Sequence, residues 1–79
     1  MNERDLALID SLAPHHPELS RLFAKHAEYE ARLGVISSKR WQTPQETEEA
    51  MRLKRLKLFG RDRMDSILSE HRRKESLSA

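Results

Sequence analysis

From Leu19 onward the chain places Leu19, Leu22, His26, Tyr29, Leu33 and Ile36 at alternating steps of three and four residues. This is the heptad period of a helix that lays one stripe against a partner, and Phe23 widens the stripe. Pro17 suits the first helical position because its missing N–H would have no partner there, and Glu18 sits in the electropositive first turn. A second helix is therefore expected over 17–36, with Gly34 fraying or ending it between Leu33 and Ser37.

After a loop over 37–43, Thr43-Pro44-Gln45-Glu46 combines a cap, a first-position proline and a capping-box glutamate. The third helix that it opens is expected over 44–73, closing on Arg72, Arg73 and Lys74, cations that favour a helix C-terminus. A frayed tail is expected over 74–79. Upstream, Asn2 caps a short helix over 2–13, which stops at the Ala13-Pro14-His15-His16-Pro17 breaker. A connection of about six residues turns two long helices back on each other. The expected fold is all-α, one small domain over 1–79, an antiparallel, coiled-coil-like helical hairpin with a short N-terminal helix.

At 100° per residue, Leu53, Leu56, Met64, Ile67 and Leu68 share a stripe of the third helix with Gly60 in its middle. This stripe and Leu19, Leu22, Phe23, His26, Tyr29 and Leu33 form the expected hairpin core. Glycine inside a helix costs about 1 kcal/mol relative to alanine. Gly60 is thus either a tolerated defect or a position whose missing side chain makes room for Phe23 or Tyr29 across the hairpin.

The segment from Leu53 to Leu68 and the one from Pro17 to Tyr29 also carry a family resemblance. Pro17, Leu19, Leu22-Phe23, Lys25-His26 and Tyr29, then Leu53-Lys54-Arg55, Lys57-Leu58, Arg61-Asp62, Met64 and Leu68, follow the order and spacing of the YdcH-like family of short bacterial proteins of unknown function, which the chain resembles from Leu12 to Leu68. It departs from that pattern at Leu56, where the family has a polar residue, and at Gly60, where it has an apolar one. The resemblance implies a small helical hairpin, often self-associating, and transfers no catalytic residue.

Length limits what such a chain can do alone. A core drawn from 79 residues rarely supplies more than about 3 to 5 kcal/mol of net stability, and small domains usually add a staple. With no cysteine the staple is neither a disulfide nor a thiolate zinc site, which leaves self-association. Met51, Leu58 and Phe59 lie about 120 to 200° from Leu53 on the third helix and so point away from the hairpin stripe. They are the expected oligomer interface, for a dimer or a higher form, although Leu6, Ile9 and Leu12 of the first helix could cover part of that face.

Fifteen Lys and Arg against 13 Asp and Glu leave a net charge of only +2, and aromatic content is 5%. Neither is the footprint of a nucleic-acid binder that tracks phosphates and stacks bases. The densest basic segment holds Arg52, Lys54, Arg55, Lys57, Arg61 and Arg63, but helical geometry distributes them on both sides of the apolar stripe and behind it. Cations flanking a stripe resemble coiled-coil edge positions. RNA or ribosome contact through this segment is the second reading. Trp41, in the loop, is either a lid over the hairpin end or an exposed anchor for a partner protein.

Four histidines, His15, His16, His26 and His71, have no three- or four-residue ligand spacing, so no metal or other cofactor is expected. No serine or threonine has the context of an activated nucleophile, and a hairpin offers no water-excluding pocket. The expectation is a non-enzymatic interaction module. An acidic N-terminal segment without a long apolar run further implies a cytoplasmic protein with no membrane partner.

Overall fold

The computed structural model describes residues 2–78 and contains three α-helices: α1 (Glu3–Leu12), α2 (Pro17–Ser37) and α3 (Pro44–Ser78). Met1 and Ala79, the first and last residues of the expected domain, lie outside the described residues. A 3₁₀ turn over Ala13–His15 joins α1 to α2, in keeping with the two prolines around it.

Local chemistry explains each helix start. Asn2 accepts the backbone N–H of Asp5 at 2.9 Å. His16 caps α2 through Nδ1, which accepts the Leu19 N–H at 3.2 Å. The expected capping box forms at α3, where Thr43 Oγ1 accepts from Glu46 N at 3.1 Å and Glu46 Oε1 accepts from Thr43 N at 3.0 Å. Gly34 does not end α2: its backbone stays helical with no positive φ, and its carbonyl accepts the Ser38 N–H at 3.0 Å. At the other end, α3 continues to Ser78, beyond the expected close near Arg73. No glycine or proline interrupts the last turns, and the pairs Glu70–Lys74 (3.5 Å) and His71–Glu75 (3.0 Å) bind successive turns together.

Helices α2 and α3 pack closely along their length. Three cross-helix ion pairs, Arg32–Glu49, Glu30–Lys57 and Glu18–Arg63, step backward along α2 as they step forward along α3, the order of a chain that has turned back on itself. Among the half-buried and buried positions of each helix, with Glu18, Glu49, Asp65 and Leu68 set beside them, those in line mark the contact stripe. On α2 they are Leu19, Leu22, His26, Tyr29, Leu33 and Ile36, the expected spacing. On α3 they are Glu46, Ala50, Leu53, Lys57, Gly60, Met64, Ile67 and His71. This line also steps by four and three, and it includes Lys57 where Leu56 was expected.

Two assigned core residues consequently lie outside the core. Leu56 is 40% exposed and Phe23 39%, because each stands one position off the contact line, at the margin of the packed stripe. The close-approach reading of Gly60 is overturned too: a Cβ there would meet nothing within 4 Å.

The packed core sits at the end of the hairpin remote from the loop, where α1 joins it. Ile9, Leu19, Met64, Ile67 and Leu68 form one buried cluster, with Leu8, Leu12 and Leu22 packed against it. Arg72 ties α1 to the end of α3 by donating to Asp5 at 2.8 Å. So α1 completes the open end of the hairpin and does not fold over Leu58 and Phe59. A short amphipathic helix gains most where two apolar stripes already converge.

Candidate functional site

The exposed apolar surface concentrates on the outer side of α3. Met51 is 53% exposed, Leu58 56% and Phe59 70%. By helical geometry the direction midway between Leu58 and Phe59 lies about 150 to 170° from Gly60 and Leu53 on the contact line. The Thr43–Glu46 cap sets where α3 begins, and burial of Met64, Ile67 and Leu68 sets its rotation, so these three side chains are held outward.

Beside this face, between α2 and α3, runs an open groove of about 600 Å³. Leu22, Tyr29, Leu56, Phe59 and Gly60 make its apolar walls, and Arg21 and Lys25 stand at its edge. Its hollow follows from the contact line. Gly60 contributes no side chain, and Lys57 turns its ammonium to Glu30, at 3.2 Å. His26 donates or accepts through Nε2 with the same carboxylate at 3.1 Å, while its buried Nδ1 has no hydrogen-bond partner.

The basic residues divide into two groups. Lys57 is half-buried and bound to Glu30, so its assignment as a free partner contact is corrected: its ammonium is occupied within the hairpin. Arg63 donates twice to Glu18, both at 2.8 Å. Arg52, Lys54, Arg55 and Arg61 are exposed and enter no ion pair among the described residues. Lys54 and Arg61 lie on one flank of the outer face and Arg52 on the other. Trp41 is 82% exposed and covers nothing, so the lid reading falls. The loop is held by Gln42 donating to the Ile36 carbonyl at 3.3 Å and by the Lys39–Glu46 pair.

These pairs set the carboxylate chemistry. The Lys39 ammonium, with the Thr43 N–H, holds Glu46 down to about 2. Hydrogen bonds from Arg63, Lys57, Arg32 and Arg72 hold Glu18, Glu30, Glu49 and Asp5 below the usual carboxylate range. All five are surface groups stabilised in their charged form, the opposite of a carboxyl tuned to carry protons near neutrality. Among the described residues no group of three or more His, Asp or Glu is placed to hold a metal ion.

Comparison with protein families, curated proteins and solved structures finds no match. No helix among the described residues is long and apolar enough to cross a membrane. What the outer face of α3 offers is an apolar centre with charged ends, a surface suited to another helix.

One functional feature was missed in sequence, the membership of Lys57 in the contact line beside Gly60, which the expected stripe already held. Extending the four-three count from Glu46 through His71, regardless of residue type, reaches both. Selecting apolar residues alone diverts the line to Leu56.

Proposed function

We propose that this protein is a non-enzymatic helical interaction module, working as a homo-oligomer in an adaptor or assembly role through the outer face of α3. The observation that carries this reading is the trio Met51, Leu58 and Phe59, each more than half exposed on the side of α3 turned away from α2. Burial of apolar surface contributes about 25 cal/mol per Å², and a hairpin with so small a core gains stability when a second copy covers that face. The four-three spacing of both contact stripes supports reading the hairpin as an antiparallel coiled coil.

Nucleic-acid binding is the weaker reading, since Lys57 and Arg63 are engaged by Glu30 and Glu18 and the remaining cations are divided between the two flanks of the outer face and its middle, where Arg55 lies beside Asp62. Sedimentation equilibrium on the wild type and on a Leu58→Glu, Phe59→Glu variant tests the proposal. The wild type associates at micromolar concentration and the double variant does not. A well-folded monomeric wild type, or a double variant that associates equally well, refutes it.

A further inference from the structure

The outer face of α3 has a polarity of charge as well as an apolar centre. Arg52 and Arg55 precede Leu58-Phe59, and Asp62 and Asp65 follow. With 100° per residue, Arg55 and Asp62 each lie within about 10° of the direction midway between Leu58 and Phe59. They occupy the middle of the face, while Arg52 and Asp65 stand toward its flanks. Arg55 and Asp62 are exposed, and neither enters an ion pair among the described residues.

We infer that two copies pair through α3 in antiparallel orientation about a two-fold axis between Leu58 and Phe59, with Arg55 of each copy against Asp62 of the other. This rests on the self-association proposed above and adds its geometry. A two-fold axis makes an interface self-complementary, so each residue before the axis meets one after it. Centred on Leu58-Phe59, the axis brings Arg55 level with Asp62 and Arg52 level with Asp65, opposite charges in both cases. It also gathers Leu58 and Phe59 of both copies at the centre, and sets Met51 level with Ser66, whose small side chain leaves room.

Competing arrangements are penalised by the same charges. A parallel pair places Arg55 on Arg55 and Asp62 on Asp62. Sliding the antiparallel pair by one heptad in either direction brings Arg55 onto Arg55 or Asp62 onto Asp62. Like charges opposed across an interface disfavour the wrong register, the principle that selects partners in coiled coils.

Charge reversal tests the register. In sedimentation equilibrium at low salt, Arg55→Asp and Asp62→Arg each weaken association about tenfold or more, because the axis repeats each repulsion twice. An equimolar mixture of the two variants recovers wild-type affinity, as does the double variant, since both restore opposite charges at every contact. If the single variants associate like the wild type, or if they weaken and the mixture does not recover, the register is wrong while self-association stands. A wild type that stays monomeric overturns both.

Cysteine cross-linking gives an independent readout should a reversed charge perturb the helix, because the chain has no cysteine of its own. Leu58→Cys forms a disulfide-linked dimer on mild oxidation. Ser66→Cys does not, since its two copies would lie about 22 Å apart along the helices, beyond the Cα separation a disulfide spans. Efficient Ser66→Cys cross-linking, or none at Leu58→Cys, overturns the register.

Discussion

Gly60 and Lys57 together determine how the middle of the hairpin is filled. Both lie on the contact line of α3, one without a side chain and the other with a side chain that seeks a carboxylate. The line is thus hollow at its centre, between the apolar pairs Ala50–Leu53 and Met64–Ile67, and the groove beside Leu22 and Tyr29 is the result. A methyl group at position 60 meets nothing within 4 Å, so Gly60→Ala removes the backbone-entropy penalty of a helical glycine without a clash. It stabilises by about 1 kcal/mol, which raises the melting temperature by about 4 to 8 °C in a domain of this size. Thermal denaturation followed by circular dichroism measures it, and a lower melting temperature would show crowding that the packing does not contain. His16 is a second residue whose role is local, since its ring nitrogen supplies the cap that Ser, Thr, Asp or Asn more often supplies.

At the level of elements, α1 is the least autonomous piece and the one with the largest effect on the core. Ten residues make a helix too short to persist alone in water, yet Ile9 is 1% exposed against Leu19, Met64, Ile67 and Leu68. Ile9→Ala therefore lowers stability by about 2 to 5 kcal/mol, the range for truncating a buried aliphatic side chain. Urea denaturation reports it, with Leu6→Ala as the comparison because Leu6 is 45% exposed. Equal, small losses for both substitutions would mean that α1 does not belong to the folded core. The long α3 holds its register through its ends, by the Thr43–Glu46 cap and the Arg72–Asp5 hydrogen bond.

For the whole molecule, an elongated body of 54 × 21 × 16 Å has much surface and little interior, so charge pairing across the surface shapes its response to pH. Asp5, Glu18, Glu30, Glu46 and Glu49 all have folded-state pKa values below their ordinary ones. A carboxylate depressed in this way contributes stability above its unfolded value, 4.5 for the glutamates, and the contribution is lost as pH falls through the folded value. Stability is therefore flat from pH 7 to about 5 on account of these groups, then declines as pH falls toward 2, the value to which Glu46 is held down. The denaturation midpoint measured at pH 7, 4 and 2.5 follows this course, and added salt flattens it because the pairs are exposed. A midpoint that rises on acidification would contradict the arrangement.

The helices were legible in the chain because their signals are local. The Asn2 and Thr43 caps, Pro17 and Pro44 at helix starts, and the four-three spacing from Leu19 to Ile36 act within a turn or two of themselves. They needed no knowledge of the fold to be read, and Met51, Leu58 and Phe59 could be placed on the outer side of α3 by angle alone. The rotation of α3 and the docking of α1 were decided by tertiary structure. Whether Leu56 or Lys57 faces α2 depends on what fills the space opposite, and Glu30 attracts the lysine inward while Leu56 leans into the groove. Whether Ile9 covers Leu58 and Phe59 or joins Leu19 and Leu68 depends on which apolar surfaces converge once the hairpin has closed, and the 3₁₀ turn over Ala13–His15 connects α1 to α2 at that converged end.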